Sequence, residues 1–355
     1  MTGYRASASA DAAPMPDTVL ICGVNWVGDA IMTMPALQVF RARHPACRIC
    51  LLIKPALLPL WKMHAAPNEV WRFEPGIRGL WRAARAARAA GIGRSYALPH
   101  SVRSAVPPWL AGVPDRRGLP GPGRKWLLTK IATPTDAPDR RHQVYEYMDL
   151  LAPDEPQPPP PAVLSPGPAA RESIRRFFDD DRAPWIGLIP GAARGPSKRW
   201  PAERFAAVGR RLAADRLGRV AVFGSSAERE LCSEVARAIG PSALSLAGKT
   251  SLEEWAALLQ LCRLVIANDS GGAHLAAALG APVVAVFGAT DPARTAPFGA
   301  RGRWLQAPGI AGRRDIAPDD PRARAALEAV SVDEVYGAAR DLLAETSHRF
   351  AEAAR

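Results

Sequence analysis

Short apolar runs alternate with segments of helical spacing along most of the chain, which predicts βαβ units and parallel sheets. In the first half, TVLICG (18–23), CRICLLI (47–53), EVWRFEP (69–75) and SYALPH (95–100) read as strands. GDAIMTMPALQVFRARH (28–44) and RGLWRAARAARAAG (78–91) carry helical periodicity, the second ending at a glycine that stops the helix. The second half repeats the pattern more clearly. PWIGLIP (184–190), RVAVFG (219–224), RLVIAND (263–269) and PVVAVFG (282–288) are predicted strands. AERFAAVGRRLAAD (202–215), AERELCSEVARAIG (227–240), SLEEWAALLQLC (251–262), GGAHLAAALG (271–280) and SVDEVYGAARDLL (331–343) are predicted helices. Ser251 and Glu254 have the spacing of a capping box at one helix start.

Between the halves, APDEPQPPPPAVLSPGPAA (152–170) is dominated by proline, holds neither a helix nor a central strand, and reads as a semi-rigid linker. At 355 residues the chain exceeds the roughly 250–300 at which single cores stop growing. The expected architecture is α/β, with two Rossmann-like doubly wound domains facing a cleft. We expect a disordered N-terminal tail over 1–16, a first domain over 17–151, the linker over 152–170 and a second domain over 171–330. A C-terminal helical segment follows over 331–355, which such a topology can carry back to the N-terminal domain.

Composition narrows the class. Hydrophobic residues at 48% and charged residues at 23% exclude wholesale disorder and a fibrous protein. The formal net charge is +12, yet only six basic residues are lysine, and Arg, Ala, Pro and Gly are all abundant. That bias is what GC-rich coding produces, so two readings of the charge stay open: compositional drift, or attraction to nucleic acid, a membrane surface or a phosphorylated substrate. The five cysteines sit mostly in apolar runs and point to a reducing, cytoplasmic setting. Cys47 and Cys50 form a lone CxxC inside a predicted strand, with no second pair to complete a zinc site. Residues 1–16 lack the apolar stretch of a signal peptide. No segment reaches the ~18 apolar residues that span a bilayer.

Four strand-end segments carry chemistry. In ANDSGGAH (267–274) a buried strand ends and a helix begins, so the N–H groups of Ser270, Gly271 and Gly272 form an anion site suited to pyrophosphate. Asp269 or Ser270 acting only as an N-cap is the simpler reading. PGAARGPSKRWP (190–201) is a glycine-shaped loop holding Gly191 and a rare lysine, Lys198, a candidate phosphate contact or a solvated charge. GVNWVGDA (23–30) departs from GxGxxG, and its Asp29 is either a general base facing the cleft or a dipole-stabilised helix-start acid. FGSSAERE (223–230) offers Glu228 to a ribose or sugar, or to its own first helical turn. Asp179, Asp180 and Asp181 form a DxD that precedes a strand, away from the carboxyl ends, and read as a turn rather than a metal site.

Together and in this order, NWVGDAIMTMPAL, LPHSVRSA, IGLIPGAARGPSKRWP, VFGSSAERE, LAGKTSLEEWAALLQLCRLVIANDSGGAHLAAALG and VAVFGATDP resemble the lipopolysaccharide heptosyltransferases of glycosyltransferase family 9, which have the GT-B fold. NWVGD and GPSKRWP are nearer the heptosyltransferase II branch. The resemblance implies that Asp29 is the base and that Lys198 stabilises the departing ADP. It implies that Glu228 contacts the nucleotide, and that Asp269, Ser270, Gly271, Gly272 and His274, with Gly191, surround the donor. Arg103 takes the place of a lysine that meets acceptor phosphates, with Asn25 and Ser101 beside it. The implied reaction is inverting and metal-independent, from ADP-heptose to a phosphorylated lipid A-core acceptor at the inner face of the inner membrane. It needs no cofactor or metal, and no nucleic acid. Gly272 and RARAALEAVSVDEV depart from the usual pattern. Another GT-B nucleotide-sugar enzyme, with a different donor or an epimerase activity, remains the alternative. A nicotinamide dehydrogenase lacks its GxGxxG, and a nucleic-acid binder rests on charge alone.

Overall fold

A computed structural model of the chain describes residues 14–133, 142–155, 157–177, 184–309 and 319–353. The expected tail lies outside the described residues up to position 13, as does the run Asp179–Asp181.

The first domain runs β1 (Thr18–Cys22), α1 (Val27–Arg43), β2 (Arg48–Ile53), α2 (Leu58–Lys62), β3 (Glu69–Arg72), α3 (Gly76–Ala89), β4 (Arg94–Ala97), α4 (Val102–Leu110), β5 (Asp115–Gly118), β6 (Lys130–Ile131) and α5 (Val144–Leu151). The second opens with α6 (Pro168–Ser173), β7 (Trp185–Ile189), α7 (Ala202–Ala214), β8 (Arg219–Val222), α8 (Arg229–Ile239), β9 (Ala243–Ser245) and α9 (Leu252–Gln260). It closes with β10 (Cys262–Asn268), α10 (Gly271–Ala278), β11 (Val283–Phe287), α11 (Pro292–Thr295), β12 (Gly302–Gln306), α12 (Pro321–Glu328) and α13 (Val332–Ala353).

Each domain holds one parallel six-stranded sheet among the described residues, ordered β3-β2-β1-β4-β5-β6 and β12-β11-β10-β7-β8-β9. The central strands are covered on both faces, which is why they read as unbroken apolar runs. Val19 to Ile21 and Val283 to Phe287 are wholly buried. The strand order reverses between β1 and β4, and between β7 and β10. Open α/β sheets bind ligands at those reversals, outside the carboxyl ends of the strands. The segments after β1, β7 and β10 are the ones already marked by sequence.

Some elements escaped the sequence pattern. Helix α4 contains Pro107 and Pro108, which remove two backbone donors and mimic a helix stop. Strands β5 (DRRG) and β12 (GRWLQ) are polar. Cys47 and Cys50 are buried, and loss of hydration pushes the Cys50 thiol up to about 11, so the CxxC packs as part of the core.

Among the described residues, helix α13 packs on the second domain. Val335, Ala339, Leu342 and Leu343 are buried in the core of the second sheet. Arg211 of α7 pairs with Asp333, and Tyr336 donates to Asp215. The proline-rich segment is also more than a spacer. Gln38 of α1 donates to the Pro161 carbonyl and accepts from Val163 N–H, both at 3.0 Å. Leu164 N–H then reaches the Ala278 carbonyl in α10 at 2.9 Å, lacing the two domains together.

Helices α1 and α10 pack against each other across the two domains. A Cβ on Gly28 would stand 3.0 Å from the His274 ring, and one on Gly271 would stand 2.9 Å from Val27 Cβ. Glycine at these positions lets the two helix starts approach.

Candidate active site

The end of β10 organises the second-domain wall. Asn268 is fully buried, and its Oδ1 accepts from Trp200 N–H at 2.8 Å while Nδ2 donates to the Pro190 carbonyl at 2.8 Å. These bonds fasten the loop after β7 to the end of β10. Trp200 is buried too, and its indole N–H reaches the Val330 carbonyl at 2.9 Å, beyond the end of α12. The loop so held delivers Lys198, whose Nζ lies 2.5 Å from Asp269 Oδ2. Thr290 Oγ1 donates to the same oxygen at 2.5 Å. Both members of the ion pair are largely withdrawn from water, with side chains 14% and 8% exposed.

These contacts decide against the simple capping readings. The Asp269 carboxylate is occupied by Lys198 and Thr290. Ser270, the N-cap of α10, makes no side-chain cap bond, and its buried hydroxyl has no partner among the described residues. The first-turn amides of a helix lack internal acceptors, and here they open on a cavity. Free amides at a helix N-terminus, together with the helix dipole, suit an anion, and Lys198 lies beside them. His274 is buried on the next turn. Loss of hydration lowers its pKa to about 4, against a partial opposing pull from Asp269, so the ring is neutral at pH 7.

Glu228 lies across the loop from this pocket. Its Oε2 accepts from both the N–H and the hydroxyl of Ser225 at 2.8 Å, closing a capping box. Its other oxygen faces Gly191, where any Cβ would come within 2.0 Å of Oε1. Glycine there lets the carboxylate lie against the backbone; a larger residue would make it shift. Trp255 and Leu252 line the same end of the cavity, and the Trp255 ring stacks on Phe223 at 6.3 Å.

The first domain contributes the opposite wall. Asp29 lies in the first turn of α1, where the dipole favours a carboxylate. Trp26 stands beside it at the rim, and the Arg194 guanidinium from the other domain sits 5.6 Å above its ring. His100, from the segment after β4, also lines the cavity. Its Nε2 is 3.4 Å from Glu146 of α5, and Glu146 in turn is 3.4 Å from Arg294 of α11.

Both domains line one cavity of about 920 Å³. Of the residues singled out by sequence, Asp29, Gly191, Lys198, Glu228, Asp269, Ser270, Gly271, Gly272 and His274 line it. Asn25, Ser101 and Arg103 do not. Asn25 and Ser101 are exposed beside the lining residues Trp26 and His100. Arg103 donates to the Glu74 carbonyl at 3.1 Å and lies over the Phe73 ring at 4.8 Å. Sequence reasoning missed Trp26, His100, Trp255, Asn268 and Thr290. Only Asn268 carried a usable signal, a polar amide at the end of an apolar strand.

The model of glycosyltransferase family 9 (heptosyltransferase) matches residues 80–309. The lipopolysaccharide heptosyltransferase 2 of Escherichia coli (strain K12) is 31% identical over 307 residues, covering 81% of this chain and 87% of that protein. The chain belongs to glycosyltransferase family 9. The lipooligosaccharide heptosyltransferase 2 of Haemophilus influenzae is 32% identical over 303 residues, 79% of this chain and 86% of that one. The solved structure of E. coli ADP-heptose lps heptosyltransferase II superposes with a TM-score of 0.80 at 28% identity, covering 93% of this chain and 99% of that one. The fold is therefore GT-B and the chain is a glycosyltransferase, as the family resemblance of the sequence implied.

Proposed function

We propose that this family 9 enzyme transfers heptose from ADP-heptose to the phosphorylated inner core of lipopolysaccharide, with inversion and without a metal ion. One observation carries the reading. A single cavity places the Asp29 carboxylate on one domain and Lys198 with the α10 amides on the other. That is the layout a direct displacement needs, with a base on one side and charge stabilisation on the other.

Asp29 takes the proton from an acceptor hydroxyl as its oxygen attacks the anomeric carbon. The bond from that carbon to the ADP oxygen breaks on the opposite face, which inverts the configuration. Negative charge develops on the departing phosphate and meets Lys198 and the N–H groups of Gly271 and Gly272. The Ser270 hydroxyl, buried with no partner among the described residues, donates to it in this reading. The adenine lies against Trp255 and Leu252, and Glu228 takes the ribose hydroxyls. The acceptor enters from the first domain, past Trp26 and His100, at the inner face of the inner membrane.

The test is a transfer assay pairing ADP-heptose with purified cores of defined truncation. A core that already carries one heptose should be extended by one more. Turnover of ADP-heptose without an acceptor, giving an isomerised nucleotide sugar, would favour an epimerase instead. Transfer only from a different nucleotide sugar would overturn the donor assignment.

A further inference from the structure

The first domain carries a surface that the transfer chemistry does not use. In its sheet order, β3 to β4 and β4 to β5 both advance in one direction, while β1 to β2 to β3 advance in the other. Right-handed crossovers therefore put α3 and α4 together on one face, opposite α1 and α2. Five of the eight large apolar side chains exposed among the described residues lie on this layer. They are Ile77 (69% exposed) and Trp81 (54%) on α3, Val102 and Trp109 on α4, and Trp126 (64%) in the turn that follows β5. The Trp109 and Trp126 rings meet edge to face at 5.5 Å, so the layer is continuous from α4 to that turn.

The charge of the same segment is one-sided. Residues 76–130 contain eleven Lys or Arg and a single acid, Asp115. That acid is already engaged by Arg94 and Arg117. Nearly all of the net +12 of the chain therefore resides here. Arg78, Arg82 and Arg85 are exposed on α3, and Lys125 is exposed beside Trp126. Tryptophans flanked by free basic side chains match the region where acyl chains meet anionic headgroups. No helix among the described residues is long and apolar enough to cross a membrane, so contact at this layer is interfacial.

We propose that the α3–α4 layer, with Trp126, docks on an anionic phospholipid bilayer. The tryptophans enter the headgroup boundary and the arginines of α3 meet lipid phosphates. The inference rests on the membrane-anchored acceptor proposed above. Val102 and Ser101 begin α4 directly after His100 of the cavity wall, so a bilayer on this layer brings a lipid-borne acceptor to the cleft rim.

The test needs neither donor nor acceptor, so it is separable from the catalytic reading. The full chain is sedimented with vesicles of phosphatidylglycerol and phosphatidylethanolamine, or of phosphatidylcholine alone. Partition onto the anionic vesicles should exceed that onto neutral ones by about tenfold or more and fall with salt. Ile77→Ser/Trp81→Ser/Trp126→Ser should lower it by about tenfold at an unchanged melting temperature, since these side chains are exposed. Arg78→Gln/Arg82→Gln/Arg85→Gln should lower it similarly and flatten the salt dependence. Equal partition of either variant, or no partition of the parent chain, overturns the proposal. So does a dimer in sedimentation equilibrium that the apolar variant makes monomeric, since the layer would then be a contact between copies.

Discussion

Lys198 and Asp269 form a nearly buried ion pair, 2.5 Å from Nζ to Oδ2, at the point where the donor phosphates are proposed to bind. The pair aims the ammonium from the loop after β7 at the N-terminus of α10. A lysine so held keeps its remaining donors for an anion.

Replacing Lys198 with alanine should therefore lower kcat/KM for ADP-heptose by about tenfold to a hundredfold, the worth of one charge-assisted contact. Steady-state kinetics with varied donor checks this. Unchanged donor kinetics would remove Lys198 from the site.

Asn268 has a different task. It holds the lysine loop by pairing the buried Trp200 N–H and the Pro190 carbonyl. Asn268→Ala leaves both groups without a partner, at a cost of about 2–4 kcal/mol. The melting temperature should fall by roughly 3–5 °C in a chain of this size. A melting curve that matches the parent would show that the loop is anchored elsewhere.

The buried histidines set an acid limit. Burial lowers the pKa of both His64 and His274 to about 4, from an ordinary value of 6.5. The unfolded chain takes up these protons below about 6.5, while the folded chain resists until about 4. Stability from the neutral rings is full above pH 6.5 and is lost as pH falls towards 4. Each ring contributes on the order of 1–3 kcal/mol. Urea midpoints measured from pH 7.5 to 5 should decline, and His64→Gln should remove part of the slope. A flat profile contradicts this account.

Chelation should leave turnover intact, because Lys198 and the α10 amides supply the positive charge that the departing phosphate requires. Rates before and after EDTA treatment check this. A strict metal requirement would direct attention to Asp179–Asp181, outside the described residues.

The sequence displayed the parts of this fold that are buried on both faces. TVLIC, WIGLI and VVAVF are apolar at nearly every position and stand out as strands. The polar strands DRRG and GRWLQ gave no such signal, and Pro107 and Pro108 disguised α4. In the site, glycines and a rare lysine after apolar runs marked the strand-end loops. What stayed hidden depends on distance in space. Thr290 meets Asp269 across 21 residues, Glu146 meets Arg294 across 148, and Arg194 covers Trp26 only because the two domains face each other. Arg103 shows the converse. Its motif position suggested the acceptor site, yet its guanidinium rests on Phe73, outside the cavity.

The central claim is that Asp29 is the base acting opposite the phosphate pocket. The most direct measurement compares Asp29→Asn with the parent, taking donor affinity by calorimetry and transfer rate by product release. The account predicts ADP-heptose affinity within about threefold of the parent and a transfer rate lower by about 10²-fold or more, the scale of a lost general base. Transfer at the parental rate in a variant that still binds donor would contradict it.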